Sequence, residues 1–204
     1  MEYRIVGNRC AVNLSLMHLP ISDENALDIL FKKGFKALEV DLIEIARQCV
    51  RTSLYRRGAK PSEAPQVVDC SSLIKWLYGK RGIWLPRRSI QQRDQGEPVP
   101  FDQIVAGDII FTLGWINYYH DDPSDGVGHV GIATGSGTVV HAANQKNNVI
   151  ESPIESFMGK TNIRGIRRYI PKDEKVITLE VPTSLEVETA DDIKWIILQS
   201  LPTG

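Results

Sequence analysis

The sequence His129-Val-Gly-Ile-Ala-Thr134, followed by Gly135-Ser-Gly137 and Thr138-Val-Val-His-Ala142, predicts two β-strands joined by a tight turn. Both runs are rich in residues typical of strands, and the glycines between them are typical of a turn. If the turn contains only residues 135–137, Gly131 lies opposite His141, and His129 points to the same face as His141. A turn with an even number of residues would place the two histidines on opposite faces.

Helical patterns precede this hairpin, and further strand patterns flank it. Apolar residues recur at helical spacing over residues 39–52, which predicts an amphipathic helix with Cys49 on its buried face. A second helix is predicted to begin at Asp69-Cys-Ser-Ser72 and to end near Gly79. Further strands are predicted at 108–112 and 163–170. Helices followed by strands indicate an α+β fold in which N-terminal helices pack against an antiparallel sheet.

The composition is that of an ordinary globular protein and argues against several classes of partner. Of the 204 residues, 24 are basic and 25 acidic, which leaves a net charge of -1. A chain that is almost neutral overall has no positive electrostatic potential that would attract nucleic acid, so we expect no nucleic-acid partner. No apolar run approaches the roughly 18 residues of a membrane span, so we expect no membrane-spanning helix. The first residues lack a secretory signal pattern, which leaves the compartment open between the cytoplasm and export without a Sec leader.

Cys70 is the cysteine whose position suggests chemistry. Asp69 is a typical N-cap residue, so Cys70 falls in the first turn of its helix, where free backbone N–H groups favour a thiolate. Most free cysteines are buried structural thiols, and helix position alone favours that interpretation, which we keep for Cys10 and Cys49. The two hairpin histidines favour chemistry at Cys70, because one can take the thiol proton while the other orients it.

Six stretches of the chain occur in an order and spacing that point to one family. They are Tyr55-Arg-Arg-Gly-Ala59, Asp69-Cys-Ser-Ser-Leu73, Leu85-Pro-Arg-Arg-Ser89 with Gln92 after it, Gly107-Asp-Ile-Ile-Phe111, His129-Val-Gly-Ile132 and Val140-His-Ala142. In these stretches the chain resembles the NlpC-type cell-wall peptidases (the NlpC and P60 group), a branch of the papain-like cysteine peptidases. The resemblance covers about residues 40–170. It implies a papain-like catalytic domain at 38–171. The residue patterns outside this domain predict a short leader at 1–37 that packs on the core and an extension at 172–204 that ends in a helix.

The resemblance implies a role for each candidate catalytic residue. Cys70 would be the nucleophile, His129 the general base, and His141 the polar residue that orients this base. Tyr55 matches a tyrosine placed beside the nucleophile. It would either donate to the oxyanion together with the backbone N–H of Cys70 or serve as a core aromatic.

The resemblance also implies a substrate class. The expected reaction is hydrolysis of an amide bond in peptidoglycan stem peptides or muropeptides, typically between γ-D-glutamyl and a diamino acid, with no metal or organic cofactor. Asp69 and Ser71 would help to bind the free amino end of the peptide. Two alternatives stay open: an amidase or acyltransferase that uses the same Cys-His chemistry on another acyl donor, and a non-catalytic module that binds the cell wall.

Two features depart from the family pattern. The usual Asp-Cys-Ser-Gly reads Asp-Cys-Ser-Ser here, so Ser72 puts a side chain where backbone approach is usually unobstructed. The loop at 115–127 is long and rich in aromatic and acidic residues, so it either borders the cleft or is a solvated excursion. His120 and the aspartates of this loop fit no metal-ligand spacing, and we expect no metal site.

Overall fold

The computed structural model describes residues 3–114, 126–159 and 162–202. The α-helices in these ranges are α1 (Asp23–Lys32), α2 (Leu42–Cys49), α3 (Cys70–Lys80), α4 (Ser89–Arg93), α5 (Ile154–Met158) and α6 (Ala190–Leu198). The strands are β1 (Arg9–Val12), β2 (Lys36–Leu38), β3 (Leu54–Tyr55), β4 (Val67–Val68), β5 (Glu97–Pro98), β6 (Ile109–Thr112), β7 (His129–Ala133), β8 (Thr138–Asn144), β9 (Asn148–Pro153), β10 (Ile163–Arg168) and β11 (Ile177–Glu180). Short 3-10 helices lie at Leu14–Met17, Pro61–Glu63 and Phe101–Gln103. Among the described helices, none is long and apolar enough to cross a bilayer.

The chain divides into two compact units, which we describe separately. The terminal unit contains the described residues up to Val40, Tyr78–Trp84, and the described residues from Lys172 onward. The central unit contains Asp41–Leu77 and Leu85–Pro171. The terminal unit holds a three-stranded sheet in the order β1-β11-β2, and the central unit holds a six-stranded sheet in the order β5-β10-β6-β7-β8-β9.

The terminal unit has an apolar core to which both ends of the chain contribute. β11 pairs antiparallel with β1 and with β2, so Leu179 lies opposite Cys10 on one side and Ala37 on the other. Gly82 approaches this sheet closely and accepts a hydrogen bond from the N–H of Ala11 at 2.9 Å. Its φ is +73°, and a Cβ there would lie 2.6 Å from the nitrogen of Ala11, so the position requires glycine.

The helices of the terminal unit begin at capping residues. α6, the predicted terminal helix, starts after Thr189, which forms a capping box with Asp192. α1 starts after Ser22, whose hydroxyl accepts a hydrogen bond from the N–H of Asn25 at 3.3 Å. The sequence patterns described above do not include this helix, because the apolar stripe that follows Asp23 is short.

The central unit confirms the predicted fold class, an α+β arrangement with an antiparallel sheet. Every neighbouring pair in the six-stranded sheet is antiparallel. The buried side chains of one cluster in its core come from four strands, β6, β7, β8 and β10, and are Ile110, Ala133, Val139 and Ile166. The sequence patterns predict β6, β7, β8 and β10, whereas β9 and α5 are additional elements that complete the edge next to β8.

The β7–β8 hairpin has the predicted three-residue turn. Ile132 pairs with Val140 and Ala133 with Val139, and the N–H of Thr134 donates to the carbonyl oxygen of Thr138 at 2.9 Å. This register leaves residues 135–137 as the turn and puts positions 129 and 141 on the same face of the sheet.

Candidate active site

Cys70 is the first residue of α3, and the start of this helix is fixed by a reciprocal cap. The Oδ1 atom of Asp69 accepts a hydrogen bond from the N–H of Ser72 at 2.8 Å, and the Oγ atom of Ser72 accepts one from the N–H of Asp69 at 2.8 Å. This is a capping box in which serine takes the position that glutamate or glutamine usually holds. The predicted N-cap role of Asp69 is thus confirmed, and the cap fixes where Cys70 emerges.

Ser72, the departure from the family pattern, is turned away from the cavity that Cys70 lines. Its side chain is 1% exposed, and its hydroxyl donates to the carbonyl oxygen of Asp69 at 3.2 Å in addition to accepting from the same residue. The hydroxyl therefore serves the cap and does not project over the thiol.

Arg87 forms an ion pair with Asp69 at the start of the helix. Its guanidinium donates to both carboxylate oxygens, at 3.1 and 2.5 Å, and also to the Oγ of Ser71 and the carbonyl oxygen of Ala59. The carboxylate further accepts from the hydroxyl of Ser71 and from the N–H of Gly58. Both oxygens of the Asp69 carboxylate therefore already accept hydrogen bonds from protein donors.

The thiol of Cys70 rests in its neutral form. Burial, and next the charge of Asp69, raise its pKa well above the ordinary value, while backbone hydrogen bonds from Ser71 and Val130 and the charge of Arg87 lower it by less. The helix start alone therefore does not produce the thiolate that the sequence analysis favours, because burial outweighs the backbone N–H groups. The hydrogen bond from Val130 also shows that the sulfur lies against the residue that follows His129.

The two histidines of the hairpin form a buried pair. The Nε2 atom of His129 lies 2.9 Å from Nδ1 of His141, and the two rings meet edge to face. The ring of Phe157 packs against both, with centroids 5.3 Å from His129 and 4.7 Å from His141. Burial lowers the pKa of His129 to about 4, and burial together with the charge of His129 lowers the pKa of His141 to about 3. Both imidazoles are therefore neutral at neutral pH.

Ser152 and Gly131 complete the surroundings of this pair. The Nε2 atom of His141 lies 3.0 Å from Oγ of Ser152. A Cβ on Gly131 would lie 3.1 Å from both the Cβ of His141 and the Cζ of Phe157, so glycine leaves the room in which these rings pack. Sequence reasoning does not identify Ser152 or Phe157, because only the pairing of β9 with β8 brings them to this face.

Tyr55 reaches the site through a short parallel strand pair. β3 pairs with β4 so that Tyr55 lies opposite Val68, two residues before Cys70. The backbone N–H of Tyr55 donates to Oδ1 of Asn148 at 2.9 Å, which ties β3 to the end of β9. The predicted neighbourhood of Tyr55 and Cys70 is present, since both line one cavity.

This cavity has a volume of about 550 Å³ and carries more positive than negative charge. Its lining residues are Tyr55, Arg57, Gly58, Asp69, Cys70, Ser71, Arg87, Arg88, Ser89, Val127 and Gly128. Three arginines thus face a space whose one lining carboxylate, that of Asp69, is already paired. Of the predicted site residues, Cys70, Tyr55, Asp69 and Ser71 line the cavity. The histidine pair lies on β7 and β8, and Val130 of β7 contacts the sulfur.

Two predictions concern the loop and metal ions. Most of the loop predicted to border the cleft, residues 115–125 with His120, lies outside the described residues. Val127, the last residue of the predicted loop, and Gly128, which follows it, line the cavity. Across the ranges that the structure describes, no three histidine, cysteine or acidic side chains come together as a metal site would need.

Comparison with known proteins agrees with this arrangement. The sequence model of the NlpC/P60 family matches residues 53–168. The chain is 37% identical over 91 residues to a probable endopeptidase of Corynebacterium glutamicum, covering 45% of this chain and 38% of that protein. It is 30% identical over 103 residues to the gamma-D-glutamyl-L-lysine dipeptidyl-peptidase of Bacillus cereus, covering 50% and 29%. The chain therefore spans only about a third of the length of these relatives.

A solved structure supports the same assignment. The crystal structure of an NlpC/P60 family protein from Bacillus cereus matches with a TM-score of 0.55 and 27% identity. The match covers 64% of this chain and 40% of that one. Because the family model covers more than half of the 204 residues, and the fold agrees with a solved member, the chain belongs to the NlpC/P60 family.

Proposed function

We propose that this chain is a cysteine peptidase that hydrolyses an amide bond in peptidoglycan stem peptides, of the γ-D-glutamyl–diamino acid type. The observation that supports the proposal is a helix-start thiol that lies against Val130, the residue that follows His129 of a buried imidazole pair. Cys70 lines the cavity and its sulfur accepts a hydrogen bond from Val130, while His129 and His141 are 2.9 Å apart on the adjoining strands. A pure binding module has no need of this combination.

The proposed reaction transfers one proton at each step. As the sulfur of Cys70 attacks the carbonyl carbon, the thiol proton passes to His129, and the carbonyl π electrons move to oxygen. The oxyanion collapses, the C–N bond breaks, and His129 gives its proton to the leaving amine. Water then attacks the thioester while His129 takes its proton, and the thiol is restored when the C–S bond breaks. His141 holds His129 in position throughout.

The developing oxyanion needs donors at the start of α3. The backbone N–H of Cys70 is in the first turn of the helix, where it has no intrahelical acceptor. The hydroxyl of Tyr55, from a residue that lines the same cavity, is the candidate second donor. Both groups are neutral donors, so they would stabilise the negative charge that develops on the carbonyl oxygen.

The charge of the cavity supports an acidic substrate. A γ-linked glutamyl residue keeps a free α-carboxylate next to the scissile amide, and Arg57, Arg87 and Arg88 line the space beside Cys70. Asp69 and Ser71 offer oxygen atoms to the free amino end of the peptide, with Arg87 held between them. The name of the Bacillus cereus relative, a gamma-D-glutamyl-L-lysine dipeptidyl-peptidase, supports the same bond type.

The decisive experiment is mass spectrometry of defined muropeptides incubated with the protein. We expect cleavage between γ-D-glutamyl and the diamino acid, and complete loss of turnover in Cys70→Ala. Cys49→Ala is the matched control, because Cys49 is 3% exposed in the core and its loss should cost about 1 kcal/mol of stability without affecting turnover. Turnover retained in Cys70→Ala would overturn the mechanism, and muropeptide binding without any cleavage would instead indicate a binding module.

The two histidines should differ in their importance. His129→Ala removes the base and should lose nearly all turnover, whereas His141→Gln should lose less, because an amide can still accept from His129. The measurement is kcat for a cleaved muropeptide. A His141→Ala variant as active as the unchanged protein would show that His141 does not orient the base.

A further inference from the structure

Ser152 stands at the far end of the imidazole pair. His129 Nε2 and His141 Nδ1 are 2.9 Å apart, and His141 Nε2 is 3.0 Å from Ser152 Oγ. The pairing of β8 with β9 sets Ser152 opposite Val139, on the face that also carries His141. The three side chains therefore form one continuous chain of hydrogen bonds.

This chain can run in two directions, and only one leaves Nδ1 of His129 unprotonated, as the proposed mechanism requires of the base. When His129 Nε2–H donates to His141 and His141 Nε2–H donates to Ser152, the Nδ1 atom of His129 keeps its lone pair. In the reverse direction the hydroxyl of Ser152 donates to His141, His141 Nδ1–H donates to His129, and Nδ1 of His129 carries a proton. Because burial keeps both rings neutral, with pKa values of about 4 and 3, the direction is a genuine choice between tautomers.

The packing around the rings fixes which nitrogen faces which partner. Phe157 lies against both imidazoles, and Gly131 leaves only enough room for them. A flip of the His141 ring, which exchanges its Nδ1 and Nε2 atoms, would break the hydrogen bonds to both His129 and Ser152. The tautomer is therefore set by proton positions and not by ring rotation.

We propose that Ser152 is a positioning residue that accepts a hydrogen bond from His141 Nε2–H and so holds His129 in the tautomer that can act as a base. The inference rests on the proposed roles of Cys70, His129 and His141. Ser152 is only half-buried, so its own hydroxyl proton can go to water while its oxygen accepts from His141.

Loss of this hydroxyl should reverse the direction of the chain. His141 is 8% exposed, so without Ser152 Oγ its Nε2–H would be a buried donor without an acceptor. A buried donor without a partner is costlier than a buried acceptor without one. The pair would then favour the reverse direction, in which Nδ1 of His129 is already protonated and cannot take the thiol proton.

The test compares Ser152→Thr with Ser152→Val, two side chains of the same shape that differ in one hydroxyl. We expect Thr to retain most of the turnover and Val to lower kcat about tenfold with little change in KM, as for other groups that orient a catalytic imidazole. Ser156→Ala, an exposed serine on α5, is the control for local substitution. Equal kcat values for Thr and Val would overturn the proposal.

A second measurement needs no substrate. In protein labelled with ¹⁵N-histidine, long-range proton–nitrogen spectra report which ring nitrogen carries the proton, with His141→Gln used for assignment. We expect protonated Nε2 at His141 in the unchanged protein and in Ser152→Thr, and a shift toward protonated Nδ1 in Ser152→Val. Protonated Nδ1 at His141 in the unchanged protein would overturn the proposal even if muropeptides are cleaved. The expected spectra would support it even if the substrate proposal fails.

Discussion

The two sides of the candidate site stabilise their polar groups in opposite ways. On the helix side, the start of α3, the carboxylate of Asp69 is charged and held by Arg87 and by backbone and hydroxyl donors. On the sheet side, the face of β7 and β8, His129 and His141 are kept neutral by burial and by the ring of Phe157. On the helix side, an ion pair and hydrogen bonds stabilise the carboxylate. On the sheet side, burial disfavours the protonated form of the imidazoles and so keeps them neutral.

This difference indicates how the thiol and the base are prepared for reaction. Cys70 belongs to the helix side but lies against Val130 of the sheet side, and its pKa is raised above the ordinary value, mainly by burial. In the proposed mechanism, the two partners of the proton transfer are thus both neutral at rest. The thiol proton would then pass to His129 as the sulfur attacks the substrate carbonyl, without a thiolate that exists beforehand.

The largest expected effect is the pH dependence of Cys70 alkylation. With a neutral resting thiol, the rate with iodoacetamide should rise about tenfold for each pH unit between about pH 6 and 9, because it follows the thiolate fraction. Labelled peptides identified by mass spectrometry give the rate at each cysteine. Cys10 and Cys49, 0% and 3% exposed, should react only after unfolding. A rate that is already constant below neutral pH would mean that the two sides share a charged thiolate–imidazolium pair.

The next effect concerns the charge on the helix side. Arg87→Gln leaves the carboxylate of Asp69, 9% exposed, without its cation, and should lower the free energy of unfolding by about 2–4 kcal/mol. Arg87→Lys should not restore it fully, because lysine cannot donate to both carboxylate oxygens. Chemical denaturation measures the loss.

The control for Arg87 is an arginine whose ion pair is more exposed to solvent. Arg56 pairs with Glu63 in solvent, so Arg56→Gln should change stability little. The double variant Arg87→Gln/Asp69→Asn should recover part of the loss, since it removes the unpaired charge. If Arg87→Gln were as stable as Arg56→Gln, the helix side would not depend on its ion pair.

A smaller effect tests the sheet side through pH. The pKa of His141 falls from 6.5 in the unfolded chain to about 3 in the folded protein, so its contribution to stability is complete above 6.5 and is lost as pH falls toward 3. Between about pH 6.5 and 5, His141→Gln should lose about 1–2 kcal/mol less stability than the unchanged protein. Denaturation curves at the two pH values give the difference. Identical losses in both proteins would show that burial does not hold His141 neutral.

Local patterns in the sequence predict the hairpin and the nucleophile helix well. The glycines at 135 and 137 fix the turn length, and hence the shared face of His129 and His141, because the register follows from neighbours in sequence. The pairing of β1 with β11 joins residues near 10 with residues near 179, and no local pattern encodes such a contact. Helix α1 is missed for a related reason, since tertiary packing in the terminal unit stabilises its short apolar stripe.

The candidate site likewise has features that local sequence patterns predict and features that depend on tertiary contacts. Cys70, His129 and His141 are predicted from a cap, a strand register and a family resemblance. Arg87 lies within a matching stretch, but its ion pair with Asp69 depends on how the segment after α3 folds back. The neutral state of Cys70 could not be predicted, because a helix start lowers a thiol pKa while burial raises it, and the extent of burial is known only from the fold.

The smallest effect concerns Ser72, which stands where the family usually has glycine. Ser72→Ala removes the hydroxyl that accepts from Asp69 N–H at 2.8 Å and should cost about 1 kcal/mol of unfolding free energy. Ser72→Gly should cost a further 0.5–1 kcal/mol, roughly, because glycine lowers helix propensity. Thermal denaturation separates the two contributions, and Ser72→Thr, which keeps the hydroxyl, is the control. Since the side chain is 1% exposed and faces the cap, neither substitution should change KM for a muropeptide. A lower KM in Ser72→Gly would mean that the serine does obstruct substrate on the helix side, despite its inward hydrogen bonds.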